Sequence, residues 1–123
     1  MIPFNNRFHG HSSLNFVYKN GKAVRSRSMT IKTITNPHRK TTRVAVIVGK
    51  KVAKSAVSRN RIRRRVFEYI RLKLPLINGI YDIVVIVLAS DLLTVPYGDL
   101  SQQIDQLFEQ SGLKQNSQAV PKT

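Results

Sequence analysis

The sequence predicts an α/β (α+β) single-domain sandwich of element order α-β-β-α-β-α around a mixed sheet of about four strands. Three observations point there. Two apolar, β-branched runs, Thr42 to Gly49 and Tyr81 to Leu88, flank a long segment of helical periodicity from about Ser55 to Leu74. A third run, Ser28 to Thr35, alternates in the manner of a half-buried strand. A last segment carries Leu100, Ile104, Leu107 and Phe108 at helical spacing. A chain of 123 residues suits one core. The domain is expected over residues 1–113, and the polar stretch 114–123, which has no apolar period, is expected to be a disordered tail.

Each element has a local cause. Ser12 or Ser13 can cap a short first helix with Leu14, Val17 and Tyr18 on one face, and Asn20-Gly21 offers a left-handed stop. In the first strand Met29, Ile31 and Thr33 alternate with Thr30, Lys32 and Ile34, so one face is buried and the other wetter; Asn36-Pro37 ends it. Thr42 to Gly49 is apolar on both faces and is expected to be a central strand covered by helix on one side. The long helix presents Ile62, Val66 and Ile70, flanked by Tyr69 and Leu74, to the core, and Pro75 stops it. Arg61, Arg64, Arg65 and Arg71 face elsewhere. Tyr81 to Leu88 is expected to pair in parallel with the strand before the helix through a crossover. A short extra strand is expected near Leu92 to Val95, and the last helix runs from Pro96 or Tyr97 to Gly112.

The charge is divided unevenly. The chain holds 21 Lys+Arg and 6 Asp+Glu; residues 1–67 carry 17 of the cations and none of the acids. A one-sign field of this kind calls for a polyanionic partner, nucleic acid before a membrane surface. A membrane-surface helix wants aromatic or leucine residues along its apolar face, whereas Trp is absent and the apolar residues are needed for the core. No membrane partner is expected. With no cysteine, disulfides and Cys-based zinc sites are excluded. The longest apolar run, Ile83 to Ala89, is far short of the roughly 20 residues of a spanning helix, and the amino terminus lacks a secretory pattern. A soluble, cytoplasmic protein is expected.

The densest information lies between residues 50 and 65. Lys50, Lys51, Lys54, Arg59, Arg61, Arg63, Arg64 and Arg65 are eight cations in sixteen residues, set where a strand hands over to a helix. Arg59 and Arg63 project roughly toward the core side but earlier in the helix than Ile62, Val66 and Ile70, so the helix start must overhang the sheet or line a cleft. Guanidinium groups there can fork onto phosphates and stack on bases, and Asn60 adds a neutral amide.

The run Ala56-Val57-Ser58-Arg59-Asn60-Arg61-Ile62-Arg63-Arg64, preceded by Lys50-Lys51, resembles the signature of the bacterial ribonuclease P protein subunit. The likeness extends from about Arg7 to Leu113 in element order. It implies a fold with a left-handed βαβ crossover. It also implies a protein that assists a catalytic RNA in removing the 5′ leader from precursor tRNA, an endonucleolytic hydrolysis that leaves a 5′-phosphate. In that family the RNA, with Mg²⁺, performs the chemistry, while the protein raises substrate and metal affinity. No catalytic or metal-binding residue of the chain itself is therefore expected, and no protein partner is required. The resemblance places Lys50, Lys51, Lys54, Arg59, Asn60, Arg61, Arg63, Arg64 and Arg65 against the RNA subunit or the leader phosphates. It lines a leader cleft with Leu14, Tyr18, Thr30, Lys32 and Lys51. The chain departs from the family pattern at Leu14, often Phe; at Lys32, which can be aromatic; and at Phe67, where Arg is common.

Rival readings are a structural RNA-binding protein such as a ribosomal component, and a DNA-binding architectural protein. A protein-borne nuclease site would need converging carboxylates or histidines. Glu68, Asp82, Asp91, Asp99, Asp105 and Glu109 are instead scattered, and are expected to be solubilising surface. His9 and His11 could act as an acid–base pair but are expected to meet phosphate or solvent, and His38 is expected in a surface loop.

Overall fold

The computed structural model describes residues 16, 17, 19–36, 41–77 and 79–112. Its sheet has the order β1-β2-β4-β3, with β1 Lys22–Arg25, β2 Met29–Thr35, β3 Arg43–Val48 and β4 Tyr81–Val87. The β1–β2 and β2–β4 pairs are antiparallel and β3–β4 is parallel. Helix α1, Ala56–Lys73, makes the crossover between β3 and β4, and helix α2, Tyr97–Ser111, follows β4. Residues 16, 17, 19 and 20 are helical and lead into β1.

Strand patterning and pleat agree. Met29, Ile31 and Thr33 are buried while Thr30, Lys32 and Ile34 are half-buried. The core lies between α1 and α2 and one face of the sheet, where Ile62, Val66 and Ile70 of α1 and Leu100, Ile104, Leu107 and Phe108 of α2 meet Ile31, Val46, Ile83 and Val85. Ser55 caps α1, its hydroxyl oxygen accepting from the Ser58 N–H at 3.0 Å, and Pro75 turns the chain into a 3₁₀ turn at Leu74–Leu76. Gly112, at φ 77°, ends α2 in the left-handed conformation that glycine adopts without strain.

Four expectations are corrected. The expected order α-β-β-α-β-α lacked a strand, since β1 precedes the two strands foreseen ahead of α1. The run Thr42 to Gly49 is not central: among the described strands β3 pairs with β4 alone and forms an edge. Apolar residues on both sides of a strand report how its faces are covered, not how many neighbours it has. The inner strands are β2 and β4, and β4 has buried residues on both faces. Residues 92–95 do not extend the sheet. Ser90–Leu93 is a 3₁₀ turn, and the carbonyls of Leu92 and Val95 accept hydrogen bonds from the Arg65 guanidinium at 2.6 and 2.5 Å. The left-handed stop assigned to Asn20-Gly21 is absent, because among the described residues only Gly79 and Gly112 have positive φ. Gly21 is needed for space instead: a Cβ there would lie 2.7 Å from the Val17 carbonyl oxygen and 3.3 Å from that of Thr33.

Two polar ties fix the frame. Arg43 and Asp82 stand opposite each other in the β3–β4 register and pair through two hydrogen bonds of 2.9 and 2.7 Å, while Asn36 donates to the same carboxylate at 2.8 Å. Between the helices, the Tyr69 hydroxyl donates to Asp105 at 2.7 Å and Lys73 reaches that carboxylate at 3.1 Å. Burial, and then this hydrogen bond, push the Tyr69 pKa up, so the phenol stays neutral where a free one would ionise.

Both partners of the Arg43–Asp82 pair are almost wholly buried, with 5% and 3% of their side-chain surface exposed. Asp82→Ala would strand the guanidinium in a water-poor site and is expected to destabilise the fold by about 3–5 kcal/mol, read as a drop in the midpoint of chemical unfolding. A loss below about 1 kcal/mol would show the pair to be dispensable.

Candidate nucleic-acid interface

The junction from β3 to α1 sets out the cations. Past Val48 the chain turns through Gly49, whose carbonyl accepts from the N–H groups of Val52 and Ala53 at 3.1 and 3.2 Å, and this leaves Lys50, Lys51 and Lys54 exposed. Helix α1 then starts with no acidic residue in its first turn. That is electrostatically costly. The amino end of a helix carries partial positive charge and unsatisfied N–H groups, and adding arginines there strengthens the repulsion until an anion relieves it.

The arginines divide into two sets. Arg59 bends back and donates to the carbonyls of Ala53 and Lys54 at 3.0 and 2.8 Å, stiffening the loop. Arg63, half-buried, donates to the Asn60 amide oxygen. Arg65 bridges to the backbone of residues 92 and 95. Arg61 and Arg64 are exposed and make no side-chain hydrogen bond or ion pair among the described residues, Arg64 acting on Glu68 only from a distance. Spaced three apart, they lie on one stripe with Val57, whose side chain is 71% exposed in the midst of the cations. Arg71, further along, is engaged by Glu68 at 2.9 Å, and that hydrogen bond holds the Glu68 carboxyl below the usual carboxylate range.

The sheet face turned away from the helices adjoins this cluster. Register places Arg25, Thr30, Ile86 and Ile47 in one row across all four strands, and Ala23, Lys32, Val84 and Ala45 in the next. The first row lies at the sheet end where β3 hands over to Lys50 and Lys51; the opposite end is closed by Arg43 and Asp82. Neighbouring strands lie about 4.8 Å apart, so the row spans roughly 14 Å. Thr30 and Lys32 thus share this outer face as the sequence implied, and Lys51 sits at its end. Leu14 and Tyr18, the other expected cleft residues, lie outside the described residues, as do His9, His11, His38 and the tail from 114 to 123.

Two placements differ from expectation. Arg65 is directed into the protein, bracing the turn after β4, and is not one of the outward cations. Phe67, which stands where the family often has Arg, is 2% exposed and belongs to the core. Sequence reasoning missed Val57, whose only signal was its helical register with Arg61 and Arg64, and Arg25, whose place in the row depends on a strand that was not foreseen.

A basic α+β domain with an acid-free helix start at the end of one sheet face has the charge pattern of a class, the polyanion-binding proteins. Comparison with known proteins narrows the class. A family profile described as Ribonuclease P matches residues 2–112. The ribonuclease P protein component of Symbiobacterium thermophilum is 37% identical over 99 residues, covering 80% of this chain and 84% of that protein. That of Chloroflexus aggregans is 30% identical over 116 residues, covering 94% and 84%. Among solved structures, the Staphylococcus aureus RNase P protein superposes with a TM-score of 0.77 at 22% identity, covering 88% of this chain and 96% of that one. The Thermotoga maritima RNase P protein does so at 0.73 and 22%, covering 85% and 96%. The chain belongs to the ribonuclease P protein family, whose members are protein subunits of the tRNA-processing ribonucleoprotein.

The division among the arginines is open to test. Replacing Arg61 and Arg64 together by Ala should leave the unfolding midpoint nearly unchanged and flatten the salt dependence of RNA binding by about two units of logarithmic slope. Arg65→Ala should do the reverse, lowering the midpoint while leaving the slope within about half a unit. Identical behaviour of the two variants would contradict the division.

Proposed function

We propose that the chain binds the catalytic RNA of ribonuclease P and the 5′ leader of precursor tRNA, supplying no group to the hydrolysis itself. Arg61 and Arg64, with Lys50, Lys51 and Lys54, face phosphates as the docking edge; Arg59, Asn60 and Arg63 shape that edge and present its remaining donors. Thr30 and Lys32 offer the outer sheet face to the leader, which Lys51 meets at the sheet's end. The observation that carries this reading is the acid-free, arginine-rich start of α1, whose repulsion an RNA backbone neutralises.

The carboxylates support leaving the chemistry to the RNA. Asp82 is held by Arg43 and Asn36, Asp91 by Ser28 and Arg27, Asp105 by Tyr69 and Lys73, and Glu68 by Arg71. Among the described residues no three His, Asp or Glu side chains converge as metal ligands. In this reading the Mg²⁺ ion belongs with the RNA. By neutralising phosphates near the cleavage site, the cations of the chain lower the Mg²⁺ concentration needed for RNA folding and substrate capture. The location that goes with such a partner is cytoplasmic, and no helix among the described residues is long and apolar enough to cross a membrane. Family membership sets aside the ribosomal and DNA-architectural alternatives.

Reconstitution tests the proposal. Added to a ribonuclease P RNA, the full chain should shift the Mg²⁺ midpoint of precursor-tRNA cleavage downward severalfold, and the shift should shrink when the leader is shortened to one nucleotide. An unchanged midpoint would overturn it.

A further inference from the structure

A groove of about 490 Å³ runs between the β1–β2 hairpin and α2, at the sheet edge farthest from α1. Its volume falls within the roughly 300–1,000 Å³ of small-ligand sites. The groove is built, not incidental. At its base the Ser26 hydroxyl donates to the Gln103 side-chain oxygen at 2.9 Å and accepts from the Met29 N–H at 3.2 Å, locking the hairpin onto the helix. Above that tie the side chains of Gln102, Gln106 and Gln110, at intervals of four along α2, line one wall, and Arg25 and Arg27 line the other. The three amides have no side-chain partner among the described residues, and neither does Arg25. Leu107 lies beneath, almost wholly buried in the core, and Asp99 adds one acceptor.

This set of groups selects a ligand by chemistry. Each glutamine amide presents a donor and an acceptor in one plane, the pattern that pairs with a base edge; a carboxylate accepts from exocyclic amines; and guanidinium groups at the rim bind phosphate. A fully anionic ligand would be opposed by Asp99, and a purely apolar one would leave the amides unpaired. The groove is also continuous with the proposed RNA path. Arg25 both lines it and ends the row that crosses the outer sheet face from Ile47 through Thr30.

We propose that this groove binds a short stretch of single-stranded RNA: Gln102, Gln106 and Gln110, spread over about 12 Å of α2, pair with the edges of its bases, while Arg25, and Arg27 from beside Asp91, hold its phosphates. The inference rests on the RNA-binding reading above and extends it to a second site across the sheet from the arginine helix, where a strand leaving the outer face would round the β1 edge.

The test uses the full chain and a short single-stranded ribo-oligonucleotide carrying one 4-thiouridine, with photocrosslinks mapped and the glutamine side-chain amide signals followed by NMR. Crosslinks should fall on both α1 and the 98–112 segment, and the signals of Gln102, Gln106 and Gln110 should move on titration. The Gln102→Ala, Gln106→Ala, Gln110→Ala triple variant, altered at exposed positions, should lose the α2 crosslinks, retain those on α1, and bind about fivefold more weakly. Crosslinks confined to α1 and the sheet face, with the amide signals unmoved, would overturn the groove site and leave the RNA-binding reading standing. Oligonucleotide bound nowhere on the chain would overturn both. Amide shifts that follow protein concentration without RNA would identify a second copy as the occupant and overturn the proposal.

Discussion

The fold is organised around a repulsion that it does not remove. Cations from Lys50 to Arg65 are crowded where the partial positive charge of a helix end already stands, with no acid in the first helical turn to offset them. Internal contacts hold the backbone in place against this field. Arg59 clips the loop to the helix, Arg63 leans on Asn60, and Arg65 reaches across to the turn that follows β4. With those three engaged, Arg61 and Arg64 stand outward in a fixed register, hydrogen-bonded to none of the described carboxylates, although Arg64 helps to hold the Glu68 carboxyl low from a distance. A helix of the same composition with acids interleaved at i, i+4 would be more stable alone and would have less affinity for a phosphate chain.

The sheet makes that edge useful. Because α1 is the crossover between β3 and β4, its amino end emerges at the same end of the sheet as Thr30 and Arg25, although these lie on strands two and three places across from β3. In the proposed reading a strand of RNA held at Lys50 and Lys51 has a mostly uncharged surface beside it, half-buried at Thr30, Ile47 and Ile86. The far end of that surface is closed by the buried Arg43–Asp82 pair, which commits its charges inward. The chain separates cations engaged by its own backbone and side chains from cations left exposed, with the two kinds only a few residues apart.

Much of this was legible in the sequence, for identifiable reasons. The 3.6-residue period of Ile62, Val66 and Ile70 gave the buried face of α1, and the same geometry showed that Arg59 and Arg63 had to overhang. The alternation of Met29, Ile31 and Thr33 gave the two faces of β2. What was missed depended on contacts between distant residues. Lys22 to Arg25 is too short and too polar to announce a strand, and becomes one by pairing with β2. The edge position of β3 follows from strand order, which no local pattern records. Arg65 looked like its neighbours until the carbonyls of residues 92 and 95 arrived from 27 and 30 positions away. Phe67 lies on the flank of the apolar stripe, where composition could not distinguish a core side chain from a replaced phosphate contact.

Val57 and Leu72 supply a direct measurement on one helix. Both are exposed aliphatic side chains, at 71% and 55%, and fifteen residues of α-helix place them about 22 Å apart. Hydroxyl-radical labelling of the protein, free and assembled with ribonuclease P RNA, should show oxidation at Val57 falling severalfold on assembly while Leu72 keeps its rate. Undiminished labelling at Val57 in a fully assembled complex would contradict the assignment of the arginine-rich start of α1 as the RNA dock.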